Sequence, residues 1–163
     1  VTDVARANEL ALVGDEPFAG ALNVASGTPI TLAEMAWVLA GAGGRVFFSG
    51  DSGFFGGYAR IGDVHGPFDA SLMAVGAYDP AWHDIHLDPE EAVEATRLMR
   101  GGLLLPIHWC TFVLAPHPWA EPVERLLAAA AGAGVSVAVP KVGERVDPSA
   151  PPEGDSWWAG LGA

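Results

Sequence analysis

The chain has 163 residues, half of them hydrophobic and only 17% charged, a composition that suits one packed domain and excludes a disordered chain. Twenty acidic against eight basic residues give a formal net charge of -12, which argues against nucleic acid or an anionic membrane surface as a partner. The single cysteine, Cys110, allows no internal disulfide. With no apolar stretch of transmembrane length and no basic-then-apolar leader pattern, the expected location is cytoplasmic.

In chain order, the first expected element is a helix over Thr2 to Val13, capped by Thr2 or Asp3, with a core stripe of Val4, Ala7, Ala11 and Leu12. A short strand at Ala21 to Val24 follows, then a turn at Ser26-Gly27-Thr28-Pro29. A second helix is expected over Thr31 to Ala40, with Thr31 and Glu34 as its capping box. The run Gly41-Ala42-Gly43-Gly44 then reads as a linker. Beyond it the pattern becomes regular. Strands are expected at 45–49, 71–75, 103–107 and 135–139, a short helix around Tyr58 to Ile61, and longer helices over 89–100 and 121–131. Alternating strands and helices of this kind predict an α/β layer with parallel strands. The start of the helix at 89 is marked by Asp88 as cap, Pro89 in the first turn and Glu91 as the reciprocal carboxylate. The proline-rich segment 147–154 predicts an irregular tail, and Trp157 and Trp158 within that tail either dock on the body or form an apolar patch.

Two of these strands end in potential metal ligands. Arg45-Val46-Phe47-Phe48-Ser49 leads into Gly50-Asp51, and Leu103-Leu104-Leu105-Pro106-Ile107 leads into His108. Ligands of open α/β sheets bind beyond the carboxyl ends of the strands, and a carboxylate with an imidazole suits a first-row metal. The alternative is that Asp51 caps a turn and His108 lies in the core. The loop Gly76 to His86 leaves the same sheet end with two histidines, two aromatics and two aspartates, able to supply a proton donor, an oxyanion stabiliser or a further ligand, and His86, just before the helix cap, is its functional candidate. His83 reads as a surface residue, and His65 and His117 as turn residues.

The ordered blocks Phe47-Phe48-Ser49-Gly50-Asp51-Ser52-Gly53, Ile61-Gly62, Gly66-Pro67-Phe68-Asp69, Gly76-Ala77-Tyr78-Asp79-Pro80, His86-Leu87-Asp88-Pro89-Glu90-Glu91-Ala92 and Ile107-His108-Trp109 resemble one family. It is the branch of the metallo-β-lactamase superfamily typified by the N-acyl-phosphatidylethanolamine-hydrolysing phospholipase D, matched over about residues 45–146. The resemblance implies an α/β fold, half of an αββα sandwich, here preceded by a short α-β-α segment. It implies Asp51 as a carboxylate bridging two zinc ions (or manganese or iron), His108 as a terminal ligand and His86 as the catalytic histidine near a phosphoester or lipid substrate. The family's His-x-His-x-Asp-His motif is absent, since no two of the five histidines flank a single residue. The ions are therefore expected to be held weakly or not at all by this chain, leaving a hydrolase completed by a partner or a non-catalytic scaffold. Cys110 stands where the family usually has glycine, which crowds the loop or offers a thiolate.

Asp3 with Val4-Ala5-Arg6-Ala7-Asn8, then Leu22-Asn23-Val24-Ala25-Ser26-Gly27, resemble the carboxy-terminal part of extended short-chain dehydrogenases and nucleotide-sugar epimerases. Residues 1–40 are accordingly expected to be an epimerase-like fragment, 41–44 a junction, 45–146 the metallo-β-lactamase-like half and 147–163 a tail. NAD is not expected: the glycine-rich fingerprint and the Tyr-x-x-x-Lys pair are missing, and Lys141 is the chain's sole lysine. Half a sandwich exposes one sheet face, so homo-oligomerisation through that face is expected.

Overall fold

The computed structural model describes residues 37–41, 44–152 and 154–161. The expected helix over Thr2 to Val13 and strand over Ala21 to Val24 lie outside these residues. A four-stranded sheet runs in chain order: β1 (Trp37–Gly41), β2 (Gly44–Phe48), β3 (Ala70–Ala74) and β4 (Leu103–Ile107). Three helices accompany it, α1 (Tyr58–His65), α2 (Pro89–Met99) and α3 (Glu121–Ala133). β2, β3 and β4 are parallel, with α1 and α2 as the crossovers between them.

The end of the chain's second expected helix is strand instead. Trp37 to Gly41 pairs antiparallel with Phe48 to Gly44, so the glycine-rich run connects two hydrogen-bonded strands. Trp37, Val38 and Leu39 are aromatic, β-branched and apolar, and a ladder partner next in sequence outweighs the helical signal at Thr31 and Glu34.

Side chains alternate across the sheet. Phe47, Met73 and Leu104 point to one face and are wholly buried with Tyr58 of α1, Met99 of α2 and Leu126 of α3. Phe47 meets the rings of Tyr58 and Phe68 at 6.4 and 5.6 Å, edge-on and tilted. The opposite face carries Val46, Phe48, Leu72, Leu105 and Ile107, which are half-buried, with Ala70, Ala74 and Leu103, which are buried.

The helix boundaries have local causes. Asp88 accepts from the Glu91 backbone at 2.8 Å and Glu91 accepts from the Asp88 backbone at 3.1 Å, closing the expected capping box around Pro89. α2 ends on Arg100 in left-handed conformation and α3 on left-handed Gly134. The strand expected at 135–139 is reduced to one bridge, Leu104 with Val137. Leu104 donates to Ser136 and accepts from Ala138, but Pro106 has no N–H to continue the ladder and Pro140 none to return the next bond. Among the described residues, no helix is long and apolar enough to cross a membrane.

Candidate active site

The carboxyl ends of β2 and β4 deliver Asp51 and His108 to one place. Beyond Phe48, Ser49 still accepts the backbone N–H of Ala74 at 2.9 Å and donates its own backbone N–H to Leu72. Gly50 then turns in left-handed conformation, φ 58°, where glycine carries no Cβ penalty. Ser52 and Tyr58 brace the turn from beneath: the Ser52 hydroxyl donates to Ser49 O at 3.0 Å, and the Tyr58 hydroxyl lies 3.0 Å from Ser52 and 3.2 Å from Gly53 O. Burial pushes the Tyr58 phenol above its ordinary range, so it acts as a neutral hydrogen-bonding group.

Asp51 is left facing solvent with a side chain 69% exposed, and its Oδ1 stands 3.6 Å from Nε2 of His108, 29% exposed. The His86 ring stacks on His108, centroids 5.8 Å apart and planes within 2° of parallel. Its loop is tied to the Asp51 loop by the Leu87 N–H donating to Ser52 O at 3.2 Å. At Gly53 a Cβ would fall 2.2 Å from Asp84 O, so only glycine allows the two loops this contact. The three expected site residues therefore converge. His83, paired with Asp84 on the surface, does not join them. His65 closes α1, and His117 contacts Gly76 O at 3.0 Å and stacks on Tyr78 at 4.3 Å.

His108 itself has φ 59° and Cys110 has φ 61°. Both are left-handed at non-glycine residues, a strain of about 1–2 kcal/mol each that persists only when surrounding packing fixes it. Gly76 gives them room, since a Cβ there would lie 2.3 Å from His108 O. Of the two expectations for Cys110, the crowded loop agrees with this backbone. Burial raises its thiol pKa, which works against the thiolate.

Two donors each about 2.0–2.2 Å from a tetrahedral ion stand about 3.4 Å apart, close to the Asp51–His108 separation. Among the described residues, Nδ1 of His86 and Nδ1 of His108 are buried with no hydrogen-bond partner, while the other nitrogen of His108, Nε2, is the one that faces Asp51. The pair fits one edge of a metal centre. A complete centre does not fit: among the described residues no three His, Cys, Asp or Glu side chains converge to hold an ion. A catalytic zinc takes three protein ligands and an open position.

Sequence reasoning missed the supports of the site. Ser52 with Tyr58 and the close approach at Gly76 join segments distant in the chain, and only the serine and glycine in the conspicuous loop blocks hinted at them.

A family profile described as a Beta-lactamase superfamily domain matches residues 18–109. An uncharacterised protein of Mycobacterium tuberculosis is 52% identical over 125 residues, covering 75% of this chain and 34% of that protein. The N-acyl-phosphatidylethanolamine-hydrolyzing phospholipase D 1 of Caenorhabditis elegans is 36% identical over 94 residues, 55% of this chain and 26% of that enzyme. A metal-dependent hydrolase of Cupriavidus taiwanensis is 36% identical over 106 residues, 64% of this chain and 34% of its own. Among solved structures, the metallo-beta-lactamase fold protein YhfI of Bacillus subtilis superposes with a TM-score of 0.51 at 18% identity, covering 67% of this chain and 42% of that one; the fold is shared. The chain thus spans about a third or less of the length of these three relatives. The expected dehydrogenase or epimerase resemblance of residues 1–40 is not supported, because the family match begins at residue 18 and runs unbroken through the glycine-rich segment.

Proposed function

The chain belongs to the beta-lactamase superfamily, and from that premise we propose that it supplies one edge of the active site of a metal-dependent hydrolase. Asp51 and His108 are its ligands toward zinc, with manganese or iron as substitutes, and His86 is the group that handles a proton at the substrate. The observation that carries this reading is the convergence of a carboxylate and an imidazole at 3.6 Å, from two parallel strand ends, with a second imidazole stacked beside them. Imidazole is the side chain suited to passing a proton to a leaving oxygen near neutral pH. The remaining ligands come from outside the described residues, through further polypeptide or a partner chain. The substrate class is a phosphodiester of the phospholipid type, a reading supported by the similarity to the nematode enzyme.

A second reading, a scaffold domain that keeps the sheet without turnover, is favoured by the two-donor set. The isolated chain tests both. It is expected to bind zinc weakly and to hydrolyse a chromogenic phosphodiester no faster than buffer with zinc or manganese. Stoichiometric zinc surviving dialysis, or turnover that disappears in Asp51→Ala, contradicts that expectation and makes this chain a self-sufficient enzyme. Adding polypeptide that carries the missing histidines restores turnover under the first reading and leaves it absent under the second.

A further inference from the structure

His108 stands in the site on a left-handed backbone, φ 59°. Trp109, between the two left-handed residues, is 8% exposed. Its ring lies 5.8 Å from Trp119, 5.8 Å from Trp157 and 6.1 Å from Trp158, the last edge-on. Trp157 also meets Trp119 and Trp158 edge-on, at 6.4 and 6.0 Å. The tail carrying Trp157 and Trp158 is also fastened by two polar contacts. The Trp157 indole N–H donates to Val139 O at 2.9 Å, and Lys141 Nζ donates to the Asp155 carboxylate at 2.8 Å.

Trp109 belongs to the buried core and stands between two left-handed residues. Its Cβ lies close to Gly76, where an added Cβ would be 2.9 Å away, and its ring packs on the tail tryptophans. Held at its Cβ and at its ring, it leaves the His108 backbone little freedom to relax toward an extended conformation.

We propose that Trp157 and Trp158 form a positioning strap for His108: by pinning Trp109 they hold the left-handed backbone that turns the imidazole toward Asp51 and His86. The strap concerns geometry within this chain and rests on the proposed function only for the ligand role of His108.

The test uses the full chain with isotope-labelled histidine, ring resonances being assigned by their loss in His108→Gln and His86→Gln. In Trp157→Leu the His108 and His86 ring resonances are expected to shift while His65, at the end of α1, stays in place. Trp157→Phe, which restores an aromatic ring, is expected to return them toward their original positions. A purely structural role lowers the melting temperature and leaves the His108 resonances where they were, and that result overturns the strap. Should Trp157→Leu fail to fold, Trp158→Phe is read by the same criterion. Zinc titration separates the two proposals. If His108 moves in the strap variants but zinc leaves it unperturbed in the unmodified chain, the metal reading fails and the strap stands. If zinc perturbs His108 and the variants do not, the strap fails and the metal reading stands.

Discussion

At position 110 a cysteine occupies backbone that suits glycine. Its φ of 61° carries a penalty of about 1–2 kcal/mol for a residue with a Cβ. Glycine removes that penalty but gains freedom in the unfolded chain, worth about 0.4–1 kcal/mol in the opposite direction. Cys110→Gly is therefore expected to stabilise the protein by about 0.5–1 kcal/mol, read as a melting temperature higher by about 1–4 °C in calorimetry. The two tyrosines offer a second residue-scale prediction. Tyr58 is raised by burial; Tyr78 is raised by burial and by its 2.7 Å hydrogen bond to Glu121. A folded-state pKa above the unfolded one gives stability that is complete below the unfolded value, about 10, and is lost as pH rises through the shifted range. These are the chain's only tyrosines, so phenolate absorbance is expected to appear late in an alkaline titration and together with loss of secondary structure. A phenolate signal at half its full height near pH 10 in the folded protein contradicts this. The site residues Asp51, His86 and His108 were legible because each stands beside a strand end or helix cap. Their supports, Ser52 with Tyr58 and Gly76 against His108, were not, since those contacts exist only after folding.

Among elements, α2 was the most legible because its start is specified within four residues, Asp88 to Glu91. Asp88→Ala removes the side-chain acceptor for the Glu91 N–H. The reciprocal bond, donated to Glu91 by the backbone N–H of residue 88, remains, so the expected loss is about 1 kcal/mol in denaturant unfolding with unchanged m-value. An undiminished midpoint refutes the assignment of stability to the cap. Arg125 of α3 reaches Glu90 with two nitrogens and lies 4.7 Å above the Tyr78 ring, so α2, α3 and the site loop share one cation. Nothing in the spacing of those residues reveals that link. β1 was not legible for the opposite reason: the capping box expected at Thr31 and Glu34 lies outside the described residues, and the pairing of Trp37–Gly41 with β2 is a tertiary event. The strand expected at 135–139 is a single bridge because its neighbour Pro106 has no N–H to offer a second rung.

For the whole molecule the asymmetry of the sheet matters most. One face is sealed by helices, whereas Val46, Phe48, Leu72, Leu105 and Ile107 on the other remain half-buried, although the surrounding charge of -12 favours solubility. Self-association through that face is expected, with the sedimentation coefficient rising across a concentration series. A single monomeric species at the highest concentration, unaltered by Leu72→Lys, argues against it. The overall α/β character was legible from the regular alternation after residue 44. The antiparallel hairpin that opens the sheet was not, because four small residues in a row read equally as a linker and as a tight connection.

Pro106 has a consequence for how such copies meet. Along the outer side of β4 it withholds the donor that a further strand would need, and Pro140 withholds the reply. The sheet therefore cannot be extended there rung by rung by a neighbouring molecule. Contact through the flat apolar face is satisfied by one facing copy, whereas contact along an open edge would leave a fresh edge at each addition. The proline thus closes this edge of the sheet to strand addition, so ribbon growth cannot begin along β4.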